Sequence, residues 1–329
     1  MQHYRIVSVF TFNIILLAIG AYFSLKIGAF SYQFSEVWYH LTTDDSSNEA
    51  IIMQEVRLPR LLMTLLVGGN MAVAGAMIQA LTRNPLASPS VLGINAGASF
   101  FVVAAIVFFP SLTGIALAGM GFAGGIVASS IIFLMTAVLQ GGKMLIKIAL
   151  IGVVIQSLFA SATQTLLIFN EESINQILIW LTGTLAGSVW NNVYILATVS
   201  IFGFLLSLSH SRSLFVMSLG DETARSLGQR VQFQKFITIT LAVLLAGCSV
   251  AFTGPIGFIG LIIPHIVRYL VGNSYYFILP VSALAGANLL LAADILSRFV
   301  SYPAETPVGI VTAFIGAPYF IYLARTMAR

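Results

Sequence analysis

The chain has 329 residues, 58% hydrophobic and only 8% charged, with a net charge of +4 and a mean hydropathy of +0.98. Soluble globular chains carry roughly a quarter charged residues, so this composition excludes a soluble domain and leaves a polytopic all-α membrane protein. The single cysteine, Cys248, lies in an apolar stretch, which removes a disulfide framework and a cysteine metal site from consideration.

A hydrocarbon core of about 30 Å takes roughly 20 apolar residues per helix, which leaves room for about ten spans with short loops. One membrane domain over 1–329 is the expectation. The first apolar run, Ile6 to Leu25, follows Arg5. It is too long for a signal-peptide core and no small-x-small site closes it, so it is expected to stay as the first span, near 6–26. Apolar runs near 61–81, 91–109, 115–139 and 145–169 follow, parted by charged or Gly/Pro breaks. Gly93-x-x-x-Gly97, Gly121-x-x-x-Gly125 and Gly183-x-x-x-Gly187 allow close backbone approach, as small-residue pairs do in lipid.

The fifth span carries Gln156, Ala160 and Gln164 at i, i+4 and i+8, with Ser157, Ser161 and Thr165 beside them. One face is therefore polar. It serves either as a wall of a translocation path or as an interhelical hydrogen-bonding seam. Residues 170–189 begin polar at Asn170-Glu171-Glu172-Ser173 and turn apolar toward Trp180. A short interfacial helix is expected there, with Trp180 and Trp190 at headgroup level.

After a span near 190–208 comes the longest polar segment, 209–235, containing Gly220-Asp221-Glu222-Thr223-Ala224-Arg225-Ser226-Leu227-Gly228. Acids at the start of a helix suit its dipole, Arg225 lies at i+4 from Asp221, and Gly228 suits a left-handed stop. A short amphipathic helix outside the membrane follows, either a solvated connector or a docking element. Further spans are expected near 236–253, 257–272, 277–297 and 306–325. Gly and Pro punctuate 254–265, so that span should start as a broken or re-entrant segment shielded by protein. Pro264-His265 reads as a kink with a satisfied histidine. Asp294, near the end of the ninth span, is an acid at membrane depth; Arg298 at i+4 offers it a simple ion pair.

Ten spans put both termini on one side. If that side is the cytoplasm, Arg5, Arg83, Lys143, Lys147, Arg212, Arg225, Arg230, Lys235, Arg268, Arg325 and Arg329 lie inside, and only Lys26, Arg57, Arg60 and Arg298 lie outside. This satisfies the positive-inside rule. The acids Glu36, Asp44, Asp45, Glu49, Glu55, Glu171, Glu172 and Glu305 then gather outside. The charge reflects sidedness, and no nucleic-acid partner is expected.

No phosphate-binding loop is present: Gly141-Gly142-Lys143 lacks the leading glycine and the following Ser/Thr. His3, His40, His210 and His265 are scattered, and no nucleophile elbow or metalloprotease helix occurs. The expectation is a chain that does not hydrolyse ATP, is not itself an enzyme and holds no cofactor or metal.

Several strings then carry a family resemblance: Arg57-Leu58-Pro59-Arg60; Gly75-Ala76-Met77-Ile78-Gln79 with Arg83-Asn84-Pro85-Leu86-Ala87; Ala224 to Gly228; Gly254-Pro255-Ile256-Gly257 through Pro264-His265; Ala293-Asp294 with Arg298; Glu305-Thr306-Pro307; and Gly316-Ala317-Pro318. In this order they resemble the FecCD-type permeases that import ferric siderophores, haem and cobalamin. The resemblance implies a type II ABC importer permease in a bacterial plasma membrane: ten helices per subunit, a second permease subunit (a copy or a related chain), two cytoplasmic ATPases and an extracytoplasmic binding protein. It implies that Arg57, Arg60 and Arg298 emerge outside to receive acids of the binding protein. It also implies that Gly220, Asp221, Glu222, Ala224, Arg225, Leu227 and Gly228 form the ATPase-coupling helix. The path is expected along Gln156, Ala160, Ser161 and Gln164. One departure is Gly272-Asn273-Ser274-Tyr275-Tyr276, where many relatives have an Asp-His-Arg cluster. An iron siderophore is the expected cargo, with haem or cobalamin as alternatives. An ion-coupled carrier would want ionisable groups at the midplane, and here Asp294 is the one acid candidate, well off centre.

Overall fold

The computed structural model describes residues 2–28, 32–43, 47–139, 144–169, 174–301 and 304–327. The expectations placed on Asp44, Asp45, Gly141, Gly142, Lys143, Glu171, Glu172 and Arg329 lie outside these residues. In chain order the helices are α1 (Gln2–Lys26), α2 (Phe34–Thr42), α3 (Asn48–Ile51), α4 (Leu58–Thr82), α5 (Ile94–Phe108), α6 (Ile115–Val138), α7 (Met144–Ile168), α8 (Ile174–Leu181), α9 (Trp190–Ser209), α10 (Ser211–Ser218), α11 (Asp221–Ser226), α12 (Val231–Thr253), α13 (Ile259–Val271), α14 (Tyr275–Val300) and α15 (Val308–Met327). No strand occurs among the described residues.

Each of the ten expected spans is a helix. Seven are long and apolar enough to cross a bilayer, and Ile94–Phe108, Ile259–Val271 and Val308–Leu323 are shorter apolar helices. Two of the short ones have visible causes. A 3-10 turn over Pro89–Leu92 takes up the start of the expected 91–109 span. Residues 254–258 leave the helix before α13, as the Gly/Pro punctuation predicts. A short helix does form within 170–189, α8, and Trp190 opens α9, its indole donating to Gln54 O at 3.0 Å.

Helix α4 is the axis of the bundle and packs on α12, α13 and α14. Its best apolar window is 78% buried, against 6% for that of α1, so α1 lies at the periphery. A helix apolar all round belongs inside such a bundle. Close approach depends on glycine: a Cβ on Gly68 would stand 2.4 Å from Gly286 O, and one on Gly75 1.9 Å from Gly260 O. The second contact has a chemical reason. Pro264 lacks an N–H, so Gly260 O loses its helical donor; the Gln79 amide reaches Leu261 O at 3.0 Å and Gly260 O at 3.5 Å. Elsewhere in the core, Asn70 Nδ2 donates to Ser200 Oγ (2.8 Å) and Ser249 Oγ (3.0 Å), tying α4 to α9 and α12. Side-chain hydrogen bonds of this kind hold helices together where lipid supplies no hydrophobic drive.

Candidate functional site

Three groups of residues stand out: an ion network at the end of the bundle carrying α2, a short helix at the opposite end, and a cavity against α7.

At the α2 end, Asp294 is fully buried. It accepts hydrogen bonds from Arg60 Nε at 2.9 Å and from Arg298 Nη2. Arg60 also grips Glu305 with Nη1, at 2.7 and 3.0 Å to its two oxygens. The last turn of α1 supplies further acceptors. Arg298 donates to Ser24 O and Ile27 O, and Arg57 to Leu25 O and Lys26 O. The Arg57 guanidinium also lies 4.6 Å from the Tyr32 ring centroid. The expected i,i+4 pair of Asp294 and Arg298 is present. The expectation that all three arginines emerge at the surface needs correction, because Arg57 and Arg298 are both 7% exposed. Helix carbonyls at the end of α1 draw guanidinium groups inward, as the negative end of a helix dipole does. Arg60 remains nearest the surface, beneath the exposed carboxylate of Glu305.

At the other end, α11 is the short helix the sequence predicts. Gly228 takes φ 81°. Gln229 N–H reaches Ala224 O and Gly228 N–H reaches Arg225 O, both at 2.9 Å, which is a Schellman stop. Gly220 precedes the helix at φ 120°. Ala224 is buried, and Glu222, Arg225 and Leu227 are exposed. The expected Asp221–Arg225 pair does not form. Asp221 binds Lys235 at 2.6 Å and approaches Arg83 at 3.8 Å. Lys235 is itself buried, and a partly desolvated pair outcompetes an exposed one, which is worth about 0–1 kcal/mol. Neither Lys235 nor Arg83 was legible as a partner of this helix, because both contacts are tertiary.

The third group lies along α7. Ile148, Ile151, Ile155, Phe159 and Leu167 face the protein, and Ser157, Ala160, Ser161, Gln164 and Thr165 are exposed. A cavity of about 410 Å³ opens beside them, bounded by Gln156, Ala160, Thr163 and Gln164 of α7, Asn95 and Ser99 of α5, Ser90, and the broken 255–257 segment. Among the described residues no charged side chain is in its walls. Ser161 is exposed on the same helix but does not border the cavity. Gln156 donates to Ser90 O, and Asn95 Nδ2 donates to Ser90 Oγ at 3.2 Å. Asn95 and Ser99 were missed from the sequence; in the run Ile94-Asn95-Ala96-Gly97-Ala98-Ser99 nothing separates wall from packing. Among the described residues no cluster of His, Cys, Asp or Glu could hold a metal.

Residues 16–326 match the FecCD transport family. The chain belongs to that family. It is 43% identical to the Fe(3+)-citrate import system permease protein YfmD of Bacillus subtilis (strain 168), covering 96% of this chain and 94% of that protein. It is 42% identical to the Fe(3+) dicitrate transport system permease protein FecD of Escherichia coli (strain K12), over 88% and 91% of the two chains. Among solved structures, a metal-chelate type ABC transporter in an inward-facing conformation superposes with a TM-score of 0.83 at 32% identity, over 97% of this chain and 98% of that one. The FecCD chain thus has the all-helical architecture of an ABC importer permease, reached from the sequence by motif order and here by superposition.

Proposed function

We propose that this chain is the permease subunit of a bacterial ATP-binding-cassette importer that carries an iron siderophore or a related ferric chelate into the cytoplasm, with ATP hydrolysed by a separate subunit. The observation that carries the proposal is the exposed polar face of α7 beside a cavity whose described walls carry no charge. Hydroxyl and amide groups on a spanning helix are costly against lipid, so a second permease subunit, a copy or a related chain, closes over this face and forms the path with it. Neutral walls accommodate a bulky chelate without holding it, as a path must. The names of the relatives, which include three iron–citrate permeases, make a ferric carboxylate chelate the first cargo to test.

The α11 end is the cytoplasmic side in this reading, with both termini there, because Arg5, Arg83, Arg212, Arg225, Arg230, Lys235, Arg268 and Arg325 then lie inside. Each of two ATPases docks on an α11, using the exposed Glu222, Arg225 and Leu227. The extracytoplasmic binding protein docks at the opposite end, where an acid from it replaces Glu305 on Arg60, and the buried Arg57 and Arg298 hold that site in place.

Uptake of iron-55 as citrate, hydroxamate, catecholate and haem complexes, in a strain lacking the chain and in the complemented strain, tests the cargo. Loss of at least one ferric chelate on deletion, restored by the gene and abolished by ATP depletion at clamped membrane potential, is the expected outcome. Uptake that instead collapses with an uncoupler at constant ATP would indicate a secondary carrier.

A further inference from the structure

At the α11 end, a niche of about 220 Å³ lies between the last turn of α4, α10, the last turn of α13 and the first turn of α14. It has no part in the translocation path or the outer network. Its polar walls are Gln79, Arg83, Ser218, Arg268, Asn273 and Tyr275.

The charge there is unbalanced. Arg268 has neutral partners, Gln79 Oε1 at 3.3 Å and Tyr275 OH at 3.2 Å, and among the described residues no carboxylate lies within ion-pair distance of it. Arg83 meets a single carboxylate, Asp221, at 3.8 Å, and that carboxylate is held more tightly by Lys235 at 2.6 Å. Among the described residues one acid therefore serves both Arg83 and Lys235, and none serves Arg268. Arg83 also takes φ 52°, a left-handed conformation that side-chain-bearing residues seldom adopt and that tends to mark functional positions. That conformation ends α4 and brings the Arg83 side chain into the wall of the niche. Two guanidinium groups, a phenol hydroxyl, a serine hydroxyl and an exposed amide around one small volume make a donor-rich surround with net positive charge. Guanidinium forks match phosphate oxygens, and the several directions of approach suit a tetrahedral anion better than a planar carboxylate. A volume of about 220 Å³ accommodates a small anion of this kind. It also lies at the ends of the long apolar helices α4 and α14 and of the shorter α13, within reach of lipid headgroups if these helices cross a bilayer.

We propose that this niche binds a phosphate-type oxyanion, either the headgroup of an anionic lipid or free phosphate, and that the anion locks the end of α4 to α13 and α14 beside the coupling helix.

The full-length chain carries its own reporter, since Cys248 is its single cysteine and is buried, so a thiol-reactive fluorogenic maleimide reads unfolding. The unfolding midpoint is measured in neutral detergent against inorganic phosphate, with chloride at matched ionic strength, and again in phosphatidylglycerol and phosphatidylcholine nanodiscs. A ligand that binds only the folded state raises the midpoint in a saturable way. The expected result is such a rise with phosphate, with phosphatidylglycerol, or with both. A rise with the lipid alone assigns the headgroup as the source; a rise with phosphate in detergent shows that free phosphate suffices.

Arg268→Gln should abolish the rise. Asn273→Asp, an isosteric change at an exposed position, installs a carboxylate in the niche and should weaken the apparent affinity about tenfold or more. This second variant keeps the test valid if Arg268→Gln does not fold. Equal responses in wild type and Asn273→Asp, or no response to either probe, would overturn the proposal. If both probes fail while a bound ATPase protects Arg268, the niche is a protein-docking pocket and the oxyanion assignment falls.

Discussion

Asp294 and Arg60 meet at 2.9 Å across the α4–α14 contact, with Asp294 fully buried and Arg60 still reaching the surface through Glu305. The same carboxylate also binds Arg298. Removing it leaves one buried guanidinium and one partly buried guanidinium without their shared anion. Breaking a buried pair from one side costs about 3–5 kcal/mol. Asp294→Ala should therefore lower stability by about that much, read from denaturation in mixed micelles. Glu305→Gln, at an exposed pair, should cost about 0–1 kcal/mol. Similar losses in the two variants would mean that the network does not act as a buried unit.

A second prediction concerns backbone contact. A Cβ at position 75 would lie 1.9 Å from Gly260 O and 2.4 Å from Gly260 Cα, neither of which can move aside as a flexible side chain can. Overpacking typically costs about 1–3 kcal/mol, and Gly75→Ala should fall at or above the top of that range. Gly119 is the control: it is exposed on α6 and a Cβ there meets nothing within 4 Å. Gly119→Ala should leave the unfolding midpoint unchanged or raise it, since Ala is the better helix former, and a comparable drop in both variants would count against the packing argument.

Much of this architecture was legible in the sequence, and the reasons differ by element. Span positions follow from apolar runs whose length is set by the bilayer. Gly228 announces the end of α11 because a left-handed residue is needed there. The Asp294–Arg298 pair is local, at i+4, and was legible for that reason. What escaped is tertiary. Asp221 prefers Lys235, a residue on another helix, to its helical neighbour Arg225, and Arg57 and Arg298 are drawn inward by carbonyls of α1 that no spacing rule connects to them. Asn95 and Ser99 escaped because small polar residues in an apolar run look alike whether they face a cavity or a neighbouring helix.

His210 gives a pH dependence with a defined sign. It joins α9 to α10, outside the spans, with Nε2 3.1 Å from Thr238 Oγ1. Burial pushes its pKa below the usual 6.5, against a smaller opposing effect of the Gln234 backbone. The fold therefore prefers neutral imidazole. Protons bind the unfolded chain first as the pH falls, so stability is retained above the unfolded pKa and lost progressively on acidification through it. The midpoint should drop between about pH 7.5 and about pH 5.5, and His210→Gln should shrink that drop. An unchanged pH dependence in the variant would place the titrating group elsewhere.

Cysteine substitution tests which face of α7 meets water. Ala160 and Gln164 are exposed beside the cavity, and Leu150 and Val154 are exposed on a different face of the helix. In the assembled transporter, cysteines at 160 and 164 should react with a membrane-impermeant maleimide, and cysteines at 150 and 154 should resist it. Protection at all four positions would make the polar face an interhelical seam rather than a wall of the path.

Gly228 isolates the geometry of α11 from its packing. A Cβ there meets nothing within 4 Å, so a substitution acts through φ, which is 81°, and not through a clash. A β-branched residue is strained in that region at a cost on the order of 1–3 kcal/mol, whereas Asn tolerates it. Gly228→Val should loosen the stop that Gln229 and Gly228 make with Ala224 and Arg225, and so misplace Glu222, Arg225 and Leu227. The helix is fastened independently through Asp221 and Lys235, so membrane insertion and overall stability should persist. ATPase activity stimulated by cargo-loaded binding protein should fall in Gly228→Val and be largely kept in Gly228→Asn. If both variants couple as the wild type does, the shape of this stop is not what transmits the ATPase stroke, and the docking role proposed for α11 would have to rest on Asp221 and Lys235 alone.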